Sequence, residues 1–301
     1  MTFRIGLLAM LASAPGANAQ PSSPRLPVSS ERLGEAVAPD RGLAVFVTGA
    51  GQALPLNAGI GYADADAKRP MTADTPLRIA SNTKTFVAAS ALRLWELGKL
   101  DLDSPIGPLL TPALDALVRA DRFDTAKITL RQLMSHSAGF YDHGSDPKYL
   151  GSIAKNPAHR WTREEQVRKS IEWGDPVGKP GERFRYSDTG YILLGDIVER
   201  ASGEPLPKAV RRLLKLDDLG MSADYWEIAE TPPAGAAPRA RQFLGPQEGT
   251  QWSATLDLYG GGGLVMSAHD LAVFFAALFE GRVFDRPETL AAMQWQGPHR
   301  N

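Results

Sequence analysis

A chain of 301 residues with 33 basic and 34 acidic side chains can hold one large domain, or two entangled ones, with ample core. The balanced charge removes the electrostatic case for nucleic acid or an anionic membrane as partner. The absence of cysteine excludes disulfides and a lipid-modified cysteine.

Residues 1–19 read as a secretory signal: Arg4 gives the positive start, 5–14 a short apolar stretch, and Ala17-Asn18-Ala19 a small-x-small cleavage site. That stretch is too short to span a bilayer. The expectation is an exported, soluble protein, periplasmic if the source is a Gram-negative bacterium. Residues 20–27 form a polar, proline-rich leader. Residues 42–48 read as a buried strand and 54–62 as its hairpin partner, with the turn at 49–52.

From Lys84 onward, Phe86, Val87, Ala91, Leu94 and Trp95 recur at helical spacing, and Gly98 ends that helix. Thr162 with Glu165 is a capping-box pattern opening a helix through Trp173. Residues 191–201 form another helix closed by Gly203, and 207–216 a third with Pro207 in its first turn. After the glycines at 260–263, Ser267 and Asp270 open a helix through Phe279. The reading is therefore α+β: an antiparallel sheet flanked by helices, built from 20–101 and 251–301, interrupted by a mainly helical region over 102–250.

Three S-x-x-K matches occur, where roughly one is expected by chance in a chain of this length. Ser145 with Lys148 carries a proline inside the motif, and Ser152 with Lys155 has no long amphipathic helix behind it. Only Ser81-Asn82-Thr83-Lys84 sits at a strand-to-helix junction opening a long apolar helix. Spacing i, i+3 puts the hydroxyl and the amine on one face. A helix N-terminus there would favour negative charge at Ser81. Apolar neighbours would desolvate Lys84 and lower its pKa toward the range of a general base. Taken alone, the motif reads equally well as a helix cap followed by a solvated lysine.

A second stretch, 180–195, contains Tyr186-Ser187-Asp188 and then Gly190-Tyr191-Ile192-Leu193-Leu194-Gly195. It resembles a signature of the class C β-lactamase, DD-peptidase and esterase superfamily, in which a Tyr-x-Asn loop precedes a Gly-Tyr-x-Leu-Leu-Gly helix. Leu133-Met134-Ser135-His136-Ser137-Ala138-Gly139, Leu219-Gly220-Met221 and Gly262-Gly263-Leu264-Val265-Met266-Ser267 follow the family order. The resemblance covers about 42–293. It implies a β-lactamase/transpeptidase-like fold and a serine hydrolase acting through an acyl-enzyme on a D-Ala-D-Ala-type peptide, a β-lactam or a small ester. It further implies Ser81 as nucleophile, Lys84 and Tyr186 as joint proton carriers, and the Ser81 N–H as half of an oxyanion hole. No metal or organic cofactor is implied. His136 falls in a structural loop of the family, and the other histidines read as solvated side chains or helix caps.

Two departures stand out. Asp188 replaces the family's usual Asn; a carboxylate cannot donate to a substrate carbonyl, but near Lys84 it would interact by ~4 kcal/mol at about 4 Å and hold the amine protonated. The third family motif, Lys/His-Thr/Ser/x-Gly on a strand beside the cleft, has no copy after Gly263, and Lys179-Pro180-Gly181 lies in a turn before Tyr186. The expectation is a C-terminally truncated form of a longer enzyme, with C-terminal strands missing and activity impaired. The competing reading is a non-catalytic descendant that binds cell-wall peptides or a partner.

Overall fold

The computed structural model describes residues 33–35, 37–48, 56–221, 223–294 and 297; the secretory reading of 1–19 and the hairpin turn at 49–52 lie outside them. Strands β1 (Gly42–Val47), β2 (Leu56–Asp64) and β3 (Arg69–Pro70) form one antiparallel sheet in that order. Register pairs Gly42 with Gly61 and Val47 with Leu56, and a bulge interrupts β2 between Tyr62 and Asp64. The apolar run at 42–47 and its nine-residue partner are the hairpin legible in the sequence.

A second small sheet was not legible. Here β4 (Leu77–Arg78) and β5 (Tyr225–Trp226) flank a central β8 (Leu264–Met266), while β6 (Phe243–Leu244) pairs only with β7 (Gln247–Glu248). Strands of two or three residues leave no alternation to detect. They matter because β4 and β8 hold the two ends of the chain segment that carries the site. Residues 214–250, read as part of the mainly helical region, are instead loops and short strands among the described residues, and the chain stays non-helical to Ser267 apart from a 310 turn at Ala254–Asp257.

The helices are α1 (Thr83–Glu96), α2 (Pro112–Arg119), α3 (Leu130–Met134), α4 (Pro147–Lys155), α5 (Arg163–Trp173), α6 (Asp188–Ser202), α7 (Leu206–Leu213), α8 (Ala268–Phe279) and α9 (Pro287–Met293). The Thr162 capping box is formed with both of its hydrogen bonds. Gly203 ends α6 at φ 74°, a left-handed cap that glycine takes without steric cost. Helix α6 starts three residues earlier than its apolar pattern, because Asp188, Thr189 and Gly190 complete its first turn.

The core lies where α1 packs on α6, with α7 and α9 against α1. Phe86, Leu94, Leu193, Leu194 and Ile197 have no exposed surface there. Phe86 stacks on Phe274 of α8, with ring centres 3.9 Å apart. Each such side chain contributes about 1.5–3 kcal/mol by burial, so the two helices carrying the candidate site are fixed relative to each other. Among the described residues no helix is long and apolar enough to cross a membrane.

Candidate active site

Ser81 does not open α1 directly. It sits in a 310 turn, Ala80–Asn82, between β4 and α1, with Ala80 at φ 46°. The turn is held from below: Ile79 N–H donates to the Leu264 carbonyl at 3.0 Å, and Leu264 N–H donates to Thr83 Oγ1 at 3.4 Å. Central strand β8 therefore sets the height of the serine, whose side chain is exposed while Lys84 one turn later is buried.

Tyr186 arrives from the loop preceding α6. Its ring stacks on His136 at 4.4 Å, and Ser187 N–H donates to His136 Nδ1 at 3.2 Å. His136 is thus an acceptor at Nδ1, and burial, with help from the Lys84 charge, pushes its pKa down to about 4. A neutral imidazole serving as a platform for the phenol fits the structural role expected of it. Asp188 is aligned by its own N–H, which donates to Asp142 Oδ1 at 2.9 Å. A Cβ on Gly144 would lie 2.1 Å from Asp188 Oδ2, so only glycine leaves room for that carboxylate.

The four predicted residues meet. Ser81 Oγ and the Tyr186 hydroxyl are 2.7 Å apart, and Lys84 Nζ donates to Ser81 Oγ at 3.0 Å. Lys84 Nζ also lies 2.5 Å from Asp188 Oδ1 and donates to the Gly261 carbonyl at 2.7 Å. Tyr186 donates to Asp188 Oδ1 at 3.2 Å. An ammonium has three N–H bonds, and these three acceptors use them all. Since Lys84 donates to Ser81 and Tyr186 donates to Asp188, the serine proton must point at the tyrosine oxygen. The hydrogen bonds form a closed circuit in which Lys84 only donates and Asp188 only accepts: Lys84 to Ser81 to Tyr186 to Asp188 on one side, and Lys84 directly to Asp188 on the other.

Electrostatics follow the ring. Burial alone would lower the Lys84 pKa, as desolvation of the sequence motif suggested. The carboxylates of Asp188 and Asp257 and the Tyr186 phenol outweigh it, and the amine is held protonated well above the usual lysine range. This corrects the expectation of a lysine desolvated into a base and agrees with the expectation that Asp188 would hold the amine protonated. Tyr186 is pushed up to about 12 by burial and by Asp188, against the opposing pull of Lys84 and its hydrogen bond from Ser81. Burial would raise Asp188, but the Lys84 charge and hydrogen bond win and hold it ionised.

Asp257 and the Gly261 carbonyl were missed. Asp257 packs against the backbone of Gly261 and Gly262, where a Cβ on Gly262 would lie 2.0 Å from its Oδ2. Burial raises its pKa, with Lys84 pulling the other way. Nothing in the sequence marks it except its place just ahead of the glycine run. Other histidines also depart from expectation. His143 is buried and hydrogen-bonds Thr189 Oγ1 at 3.0 Å, and His159 Nε2 meets Glu165 at 2.9 Å; His299 lies outside the described residues.

The competing S-x-x-K copies separate cleanly. Asp146 caps α4 by accepting from Lys148 N–H, and Ser152 donates to the Lys148 carbonyl rather than meeting Lys155. Lys179-Pro180-Gly181 is in a turn tied to Ser137 through Gly181 N–H. Beyond Met266 the described residues contain helices α8 and α9 and no strand, so no third motif lines the cleft among them. No group of His, Asp or Glu that could hold a metal ion occurs among the described residues.

Residues 36–301 match the sequence model of the family described as Beta-lactamase. Esterase EstB of Burkholderia gladioli is 34% identical over 184 residues, 59% of this chain and 45% of that protein. The putative penicillin-binding protein PbpX of Bacillus subtilis (strain 168) is 28% identical over 233 residues, 76% of this chain and 53% of that protein. The D-amino acid amidase of Ochrobactrum anthropi SV3, solved with L-phenylalanine, superposes with a TM-score of 0.69 at 28% identity, covering 86% of this chain and 69% of that one. The chain spans about half the length of the sequence relatives it matches. With a family match running from before β1 to the last residue, and relatives of the same kind by sequence and by fold, the chain belongs to the Beta-lactamase family.

Proposed function

We propose that this protein is a serine hydrolase that carries an acyl group on Ser81, with a carboxylic ester as substrate. The observation supporting it is the directed chain of hydrogen bonds from Ser81 through Tyr186 to Asp188. In acylation Ser81 Oγ bonds to the ester carbonyl carbon while its proton moves to the Tyr186 oxygen and the Tyr186 proton moves to Asp188. Collapse of the adduct breaks the bond to the leaving oxygen, which takes a proton back through Tyr186 and departs as the alcohol. Water then attacks the acyl-serine along the same path, releasing the carboxylic acid and restoring Ser81. Lys84 keeps its proton throughout and stabilises charge developing on the serine and tyrosine oxygens.

Esters are favoured over D-Ala-D-Ala-type peptides and β-lactams because Asp188 is committed to Lys84 and Tyr186 and has no N–H to offer an amide carbonyl. The likeness to Esterase EstB supports the same choice. The test incubates the protein with p-nitrophenyl acetate and with a fluorescent penicillin, alongside Ser81→Ala. Ester turnover with a burst, lost in the variant, is expected; a folded protein with no turnover and no covalent label would leave the non-catalytic reading. Export belongs to the same proposal: protein recovered from the periplasm of a Gram-negative host should begin at Gln20.

A further inference from the structure

A cavity of ≈ 570 Å³ opens beside Ser81 and runs away from it. One wall is a stripe of α1, where Thr85, Ala88 and Leu92, spaced three and four, lie on a single helical face that leads away from Ser81 in the preceding turn. Met134, Tyr191 and Met293 of α9 also line it. The tyrosine hydroxyl is already satisfied by the Met134 carbonyl at 2.9 Å, so its ring presents carbon to the cavity. Arg131, which also lines it, is clamped by two hydrogen bonds to Asp103. The lining is therefore largely apolar and continuous with the nucleophile.

From this geometry we infer that the groove along α1 receives the acyl chain of the substrate, so that the preferred esters carry a linear chain of medium length. The inference rests on the hydrolase reading and adds the substrate class. From Ser81 to Leu92 a helix rises about 16 Å. A hydrocarbon zigzag of ~1.5 Å bonds advances about 1.3 Å per carbon, so roughly twelve carbons fill that length. A sixteen-carbon chain overruns it.

Full burial of a methylene is worth about fourfold in affinity, and a groove open to solvent on one side captures part of that, so octanoate should exceed acetate by about fiftyfold in kcat/KM. The experiment measures p-nitrophenyl acetate, butyrate, octanoate and palmitate. A rise to octanoate and a fall at palmitate is expected; acetate equal to or better than octanoate overturns the groove. Ala88→Trp fills the groove and should bring the octanoate-to-acetate ratio close to one; a ratio still near the wild-type value overturns it. Thr85→Phe, at a less enclosed position, makes the same test should Ala88→Trp not fold. Calorimetry on Ser81→Ala with methyl octanoate and methyl acetate removes catalysis from the question. Binding of the octanoate at least tenfold tighter is expected; equal, weak binding overturns the groove. Tight octanoate binding with no turnover of any ester by the unmutated protein sinks the hydrolase reading while supporting the groove.

Discussion

At position 188 a carboxylate oxygen accepts from both Lys84 and Tyr186, where an amide has one oxygen to offer and a nitrogen that must donate. Asp188→Asn therefore changes protonation more than shape. With that charge gone, burial acts on Lys84 against Asp257 and Tyr186 alone, and its pKa falls. As pH rises the variant should gain a neutral amine able to accept the serine proton, so its kcat/KM should climb between roughly pH 7 and 10. The parent protein, with Lys84 charged across this range, should show no such limb. Identical pH–rate profiles for the two would remove Asp188 from the reaction. At this scale the sequence was informative: Ser81, Lys84, Tyr186 and Asp188 were all named from motif and order, and they meet. Asp257 was not, because a lone acid before a glycine run has no pattern until the chain doubles back on α1.

Among elements, helices were legible wherever a cap and an apolar stripe coincided. Thr162 with Glu165, Ser267 with Asp270, and Gly203 each stand where a helix begins or ends. The β4–β8–β5 sheet was hidden because its pairing joins residues far apart, Arg78 with Val265 and Val265 with Tyr225, through strands too short to show a period. The helices also differ in what they contribute. Leu194 of α6 is fully buried against α1, and Leu194→Ala should cost about 2–5 kcal/mol. Thr162→Ala, which deletes only a cap, should cost about 1 kcal/mol. Urea unfolding curves read both, and equal losses would mean that α6 is not the packed centre of the molecule.

For the molecule as a whole, one of the buried acids outside the candidate site bears on its stability. Asp224 is 2% exposed, its Oδ2 has no hydrogen-bond partner, and burial together with the neighbouring Asp270 pushes its pKa up to about 8. A carboxyl that binds its proton more tightly when folded stabilises the fold fully below its unfolded pKa of about 3.9. That contribution fades as pH rises toward 8, because the unfolded chain gives up the proton first. Asp224→Asn keeps the neutral shape at every pH. Its melting temperature should match the parent near pH 4 and exceed it by a few degrees at pH 8; a gap independent of pH would assign the effect to packing.

The serine oxygen faces the cleft with something left to give. It is bonded to its own carbon, spends one lone pair on the lysine and its hydrogen on the phenol, and so retains a single electron pair whose direction is set by tetrahedral geometry. Because β8 fixes the turn and His136 fixes the phenol, that pair has one bearing. In the proposed reaction an incoming carbonyl must turn the same face toward it every time, and the stereochemistry of attack is settled before any substrate arrives.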